Sequence, residues 1–220
     1  FSGCFNELLE DQSDKMLSLL FNIISPYEAI TDLSFGIFTA HPKENKIVYS
    51  HNGVEYDLHG SIANRLLSAA SSDNIKSVQN LVNFTENLIL NPYNSAVDSL
   101  FDFLMATDIT INEDGMVECF KVVSGDWLDC YSSTYDNSIG QTVSMPRHLV
   151  VKDKNKTCEY GLHVCSESYI RDFFGVDGSN RVVKVLVNPK DFVSIPTDYN
   201  NAKARVCEYV VSHEVTKDFK

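Results

Sequence analysis

Residues 157–169 read TCEYGLHVCSESY and hold the side chains best suited to chemistry. His163 stands five positions after Cys158 and two before Cys165. Sulfur and imidazole this close suggest a transition-metal site, a cysteine–histidine nucleophile pair, or a buried strand junction. Zinc takes four ligands, commonly with closely paired cysteines, and the spacing of Cys158, His163 and Cys165 fits that poorly. In a strand His163 and Cys165 would share a face, with Cys130 or Cys207 adding ligands through the fold. Cysteine–histidine catalysis gathers its partners from separate segments, which weighs against Cys165 acting with His163. Cysteine is also among the most buried residue types. The residues favour a half-buried strand in which Gly161 permits a close approach and His163 bonds a backbone group or carboxylate. Cys158, His163 and Cys165 are the candidate metal ligands, and no cofactor is expected.

The second candidate is DWLDCYSSTYDNSIGQTVSMPR, residues 126–147. Asp126, Asp129, Asp136 and Asn137 supply oxygens that could serve Ca²⁺ or Mg²⁺, but their spacing is not that of an EF-hand loop. Asp, Asn, Ser and Gly in such density more often make consecutive turns through side-chain to backbone bonds. Arg147 is expected to hold one of these acids in an ion pair. Lys203 and Arg205 read as an exposed strand entry, with a small anion site as the alternative. No phosphate-loop, dinucleotide, nucleophile-elbow or zinc-helix motif is present, which tilts the reading away from an enzyme.

These residues need elements to position them. With 220 residues, 44% of them hydrophobic, the chain can build a substantial core. The net charge of −12 argues against nucleic-acid binding, which needs clustered Lys and Arg. No apolar run reaches the ~18 residues that a spanning helix needs. No secretory signal is readable in residues 1–25, so reduced thiols are expected. The start at Phe1 is expected of a processed chain or a piece of a longer one.

The pattern predicts an α+β protein that changes texture at residue 107: a mostly helical part over 1–107 and a β-rich part over 108–220. In the first part, 33–40 reads as a short strand and 46–58 as a hairpin turning at Asn52-Gly53. Three helices follow, marked by Ile62, Leu66 and Leu67, by Val78, Leu81, Val82 and Leu88 after an Asp73 cap, and by Val97, Leu100 and Leu104 after Pro92. In the second part, 109–123 reads as a hairpin around Asp114-Gly115. Residues 124–157 read as a functional loop or a set of short strands, and 166–174 as one short helix. Residues 181–187 and 204–212 read as two strands.

The stretches AVDSLFDFLMATDITINEDGMVECFKVV, DCYSSTYDNSIGQTVSMPR, TCEYGLHVCSESYIRDFFG and RVVKVLVNPKDFVSIPTDYNNAKARVCEYVV closely resemble the RIIB family of T-even bacteriophages. The resemblance is strong over 94–220 and looser over 46–93. It implies a phage accessory protein, linked to lysis inhibition and to superinfection or prophage exclusion. It also implies a non-enzymatic adaptor working with an RIIA-like partner in the host cytoplasm, peripheral to the inner membrane through that partner. It carries over no catalytic residues. Two other readings stay open: a virion-associated or assembly component, and a nucleotide- or NAD-binding domain. The second rests on a weaker similarity of 116–195 to ADP-ribosyltransferase-like folds, with Lys121, then His163 and Ser166, then a late acid such as Glu208 in the corresponding places. Lys121, Asp129, Asp136, Asn137, Arg147, His163 and Ser166 are therefore the candidate ligand cluster.

Residues 5–24 end in an apolar run over much of a helix circumference, which calls for burial on several sides. Leu8, Leu9, Leu17, Leu20, Phe21 and Ile24 are expected to mediate homo-oligomer formation or docking on the RIIA-like partner. The polar face carries Glu7, Glu10, Asp11 and Asp14, whereas interfacial membrane helices are typically basic. Any membrane association is thus expected to be indirect.

Overall fold

The computed structural model describes residues 26–31, 37–41, 44, 46–51, 53–58, 60–71, 75–106, 109–174 and 178–219. The proposed interaction residues from Leu8 to Ile24 and the Asp73 cap lie outside the described residues. The chain forms two compact units, Phe1–Val82 and Asn83–Lys220.

In the first unit, alternating residues make a three-stranded antiparallel sheet in the order β1 (Phe38–His41), β2 (Lys46–His51), β3 (Val54–Asp57). Gly53, at φ +77°, supplies the left-handed turn predicted there. Tyr49 stacks on its cross-strand partner Tyr56 at 5.4 Å. Phe38, Ile47 and Val48 are buried, whereas all four residues of β3 are exposed. Helix α1 (Gly60–Ala70) buries Ile62, Ala63 and Leu66, as its periodicity requires. Helix α2 (Ile75–Leu88) crosses the boundary between the units.

The second unit is built on a sheet whose pairings are all antiparallel. Its strands are β4 (Thr110–Ile111), β5 (Val117–Ser124), β6 (Thr142–Ser144), β7 (Leu162–Cys165), β8 (Asn180–Val187), β9 (Phe192–Ser194), β10 (Lys203–Val206) and β11 (Glu208–Glu214). The spatial order is β6-β11-β8-β5-β7-β10-β9, with β4 pairing β5. Eight residue pairs join β5 to β8 and form the spine. Alternation turns Val117, Cys119 and Val123 of β5 and Val183, Val185 and Val187 of β8 to one face, where all are buried. On the other face Phe120, Cys165, Ile170 and Val182 form a cluster backed by Tyr169, Val215 and Phe219. Helix α3 (Asn94–Ala106) buries Ala96, Leu100, Phe103 and Leu104, and Phe103 meets Phe192 of β9 at 5.9 Å. The short predicted helix is α4 (Glu167–Tyr169), capped by Ser166 and continued by a π-helical turn over Ile170–Phe174.

The apolar run 204–212 is two strands, not one. Cys207 separates β10 from β11, and its backbone bonds leave the ladder: its N–H donates to Asp191 O at 3.0 Å and its carbonyl accepts from Met145 N at 2.9 Å. The chain therefore steps from one part of the sheet to another without a loop. The sequence pattern gives no sign of this, because the bonds that divide the run are made by backbone groups, which every residue carries.

The β4–β5 turn is seated on α2. Asn83 Nδ2 donates to Glu113 O at 2.7 Å and Asn87 Nδ2 to Asp114 O at 3.2 Å. Gly115 has φ +74°, and a Cβ there would lie 2.3 Å from Asn83 C and Phe84 N. Both the left-handed backbone and the contact with rigid main chain demand glycine. Gly115→Ala should lower stability by at least about 2 kcal/mol, read as a reduced urea midpoint at unchanged m-value.

Candidate functional site

Strands β7 and β10 pair so that Cys165 faces Lys203 and His163 faces Arg205. Directly opposed residues project to the same side. Four chemistry-bearing side chains therefore share one face of the second unit.

Arg205 is fully buried. Its guanidinium donates from Nε to Val151 O at 2.8 Å, from Nη1 to Lys156 O at 2.6 Å and Thr157 O at 3.3 Å, and from Nη2 to Asp153 O at 2.6 Å and Ser194 Oγ at 3.0 Å. All the donors of the side chain are used, four of the bonds going to the carbonyls of one loop. Gly161, at φ +154°, leaves space for the stem: a Cβ there would lie 2.9 Å from Val150 Cγ1 and 3.3 Å from Arg205 Cδ. The close approach expected at Gly161 is thus present, made to Arg205. The expectation that Lys203 and Arg205 lie exposed is overturned. Backbone carbonyls solvate the arginine, and Lys203 is only 7% exposed.

The Nε2 of His163 is buried and has no hydrogen-bond partner among the described residues. Its pKa is pushed down to about 3, first by burial, then by the charges of Lys203, Lys121 and Arg205, against a hydrogen bond to the Glu159 backbone. The imidazole is neutral and offers a free lone pair. Lys121 Nζ donates to His163 O at 3.0 Å, and burial lowers its pKa. Burial pushes the Cys165 thiol up to about 12, although Lys121 and Lys203 pull it down. Its Sγ donates to Phe120 O at 3.3 Å. A thiol so held stays protonated and is a poor nucleophile. Cys158 is exposed, with Lys203 Nζ at 4.0 Å from its sulfur. Among the described residues no three His, Cys, Asp or Glu side chains converge as a metal site.

The structure brings Lys121, His163, Cys165 and Lys203 together. It adds Tyr169, Tyr199 and Asp198, which the sequence reading missed. Tyr169 and Tyr199 meet edge to face at 5.2 Å, and Lys203 Nζ stands 5.8 and 6.0 Å from their ring centroids. Both carboxylate oxygens of Asp198 are buried without a hydrogen-bond partner among the described residues. The run Asp198-Tyr-Asn-Asn was the available signal, since Asp and Asn tolerate unusual backbone.

The other candidates lie apart. Ser166 is buried, and its Oγ accepts from Tyr169 N at 3.2 Å as a helix cap. Glu208 is on β11, separated from β7 by β8 and β5. Burial alone would raise the pKa of Asp129, but N–H donors from Tyr135, Ser132 and Thr134 and the Ser132 hydroxyl bring it to about 2. Asp136 accepts from Ser138 N at 2.9 Å and Ser138 Oγ at 2.6 Å. Asn137 is buried and accepts from Tyr209 Oη at 2.5 Å. The two aspartates close turns within their own loop, and Asn137 ties that loop to Tyr209 of β11. Arg147 pairs with Asp191 at 3.2 Å, not with the loop acids as expected. Its guanidinium also donates to Lys190 O and Phe192 O, which draws it to the start of β9.

The profile of the family described as Bacteriophage T4 protein rIIB matches residues 45–218. Among curated proteins the chain is similar to Protein rIIB of Enterobacteria phage T4, 55% identical over 137 residues, which are 62% of this chain and 43% of that protein. The match thus spans less than half the length of that relative. No solved structure matches.

Two outcomes follow from this geometry. Arg205→Lys leaves several loop carbonyls without donors and should cost about 3 kcal/mol of unfolding free energy in urea titration. His163 has a native pKa of about 3 against 6.5 when unfolded, so its contribution is complete above pH 6.5 and lost as pH falls toward 3. Within that window it removes about 1.4 kcal/mol per pH unit. His163→Gln should flatten the decline in the urea midpoint between pH 6 and 4; an unchanged slope would show that another group carries it.

Proposed function

We infer function from membership: the chain belongs to the family of the bacteriophage T4 protein rIIB, and we propose that it is a phage accessory protein acting as a non-enzymatic adaptor. Its setting is lysis inhibition and the control of superinfection or prophage exclusion, with an RIIA-like phage protein as partner. The single observation that carries this reading is the family match over residues 45–218. The chemistry of the second unit is compatible with it. The buried thiol of Cys165 is held protonated, and Asp129 and Asp136 close turns.

The adaptor works in the host cytoplasm and meets the inner membrane through its partner. No helix among the described residues is long and apolar enough to cross a membrane. The apolar residues Leu8, Leu9, Leu17, Leu20, Phe21 and Ile24 are the contact surface for that partner or for a second copy. The acidic residues Glu7, Glu10, Asp11 and Asp14 interspersed with them in the sequence disfavour contact with anionic lipid.

Co-expression with an RIIA-like protein from the same phage tests the reading. The tagged chain should retain the partner through purification. Leu17→Asp combined with Leu20→Asp should reduce retention at least about tenfold, because charges at an apolar interface are left unpaired. No retention of the partner by the unsubstituted chain would refute the adaptor role.

A further inference from the structure

The two edges of the sheet in the first unit differ. The order β1-β2-β3 leaves β1 and β3 outermost. Ser50 N–H donates to Ile37 O at 3.1 Å, so Thr39 and His41 also bond to β2, and the backbone of Ala40 turns outward. That edge is covered at Ala40, whose N–H donates to Thr31 Oγ1 at 3.3 Å. On the other side of β2, Leu58 N–H donates to Ile47 O at 2.9 Å. The same alternation directs the backbone of Val54 and Tyr56 to β2 and leaves the N–H and C=O groups of Glu55 and Asp57 on the outer edge. No strand among the described residues pairs with that edge.

The strand is open to solvent along its whole length, since all four of its residues are exposed. Alternation sets Glu55 and Asp57 on one face and Val54 and Tyr56 on the other. Val54 is 51% and Tyr56 45% exposed, with the Tyr56 ring held in place by its stack on Tyr49. An open edge is a template for another strand, and proteins guard such edges with charge.

Charge decides which strand fits. Residues whose outward backbone groups bond across an antiparallel pair lie directly opposite one another. Any such register that overlaps Glu55–Asp57 with the same stretch of a second copy therefore sets acid against acid, which is destabilising. A second copy is excluded from this edge by its own charges. The acids are also short of cations within the sheet. Asp57 is bound to Lys46 at 2.6 Å, and the charges of Glu55 and Glu44 act on the same lysine. One cation thus serves three acids, and the edge stays negative.

We propose that β3 takes an added antiparallel strand from a protein partner, an extended segment that alternates Lys or Arg with apolar residues. Its basic side chains lie opposite Glu55 and Asp57, and its apolar ones lie beside Val54 and Tyr56 on the other face. Backbone bonds to Glu55 and Asp57 hold the strand, and the acids select it. This contact is separate from the one assigned to residues 8–24 and does not rest on the adaptor reading.

The test is NMR titration and amide hydrogen exchange on the full chain with a short peptide alternating lysine and valine. Its controls are the glutamate–valine counterpart and the same lysine–valine peptide N-methylated at its lysine backbone nitrogens, which keeps the charge and removes the donors that would face β3. The lysine–valine peptide should slow exchange at the Glu55 and Asp57 amides at least about tenfold, with little change at Tyr56, which already bonds to β2. It should bind at least about tenfold more tightly than either control. Glu55→Lys should remove its preference over the glutamate–valine peptide. Glu55→Pro deletes an outward donor that β2 does not use and should abolish the slowing at Asp57; if that variant does not fold, the N-methylated peptide carries the backbone test. Equal binding of the N-methylated peptide would reduce the effect to attraction by the net charge of −12 and overturn strand addition. Slowed exchange at both amides on raising the protein concentration without peptide would place a second copy on the edge and overturn the choice of partner. No slowing with the lysine–valine peptide at millimolar concentration overturns the site.

Discussion

The second unit depends on one buried guanidinium. Residues 151–161 contain no strand or helix, so their backbone carbonyls need partners from elsewhere. Arg205 supplies them for Val151, Asp153, Lys156 and Thr157, and reaches Ser194 on β9 as well. The cost of burying its charge is offset by carbonyl dipoles instead of a carboxylate. That choice has a structural consequence. A carboxylate would fix one point, whereas four carbonyls fix a whole loop against the strand that carries the arginine. Val151 N also donates to Tyr160 O at 2.9 Å, which closes the loop at its base. The loop leads directly into Gly161 and β7, so the placement of His163 and Cys165 follows from it.

A second consequence concerns the sheet. All four residues of β10 are buried, although two of them are Lys and Arg. A strand so enclosed joins β7 to β9 and would leave the sheet weak if its charges drew it toward water. Arg205 is held by the loop, and the stem of Lys203 lies beside Tyr169 and Tyr199, whose ring faces tolerate a cation. The polar character of β10 is thus internal to the fold, and it brings positive charge to a place that an alternating pattern reserves for apolar side chains.

Periodicity and turn chemistry carried most of the fold in the amino-acid sequence. The β2–β3 hairpin was legible from its Asn-Gly turn, and the β4–β5 hairpin from Asp114-Gly115. The helices were legible from apolar spacing, and β8 from its valine run. Those signals are local, and the structure realises them locally. The break at Cys207 was not legible, because it is made by backbone bonds to Asp191 and Met145, residues distant in sequence. The burial of Arg205 was hidden for the same reason: its partners are carbonyls, which every residue possesses and no composition reveals. At the candidate site, His163, Lys121 and Cys165 were legible by type. Tyr169 and Tyr199 were not, since only the β7–β10 register and the left-handed turn bring them beside the others, and for Asp198 the run Asp-Tyr-Asn-Asn signalled a turn but not its burial.

The charge distribution links these points. The chain carries −12 overall, with 18 basic residues against 30 acidic ones. Yet three of those basic residues, Lys121, Lys203 and Arg205, act together on one imidazole. The acids nearest in sequence to the site behave differently. Asp153 is exposed and Glu159 half-exposed, while the Asp198 oxygens are buried without a hydrogen-bond partner among the described residues and their charge acts on Arg205. A field of this kind is set by protein charges at short range in a region with little water, where screening by salt is weak. The acidic exterior therefore does not cancel it. Net charge describes how the whole molecule meets its surroundings; around the His163 imidazole the local sign is the opposite.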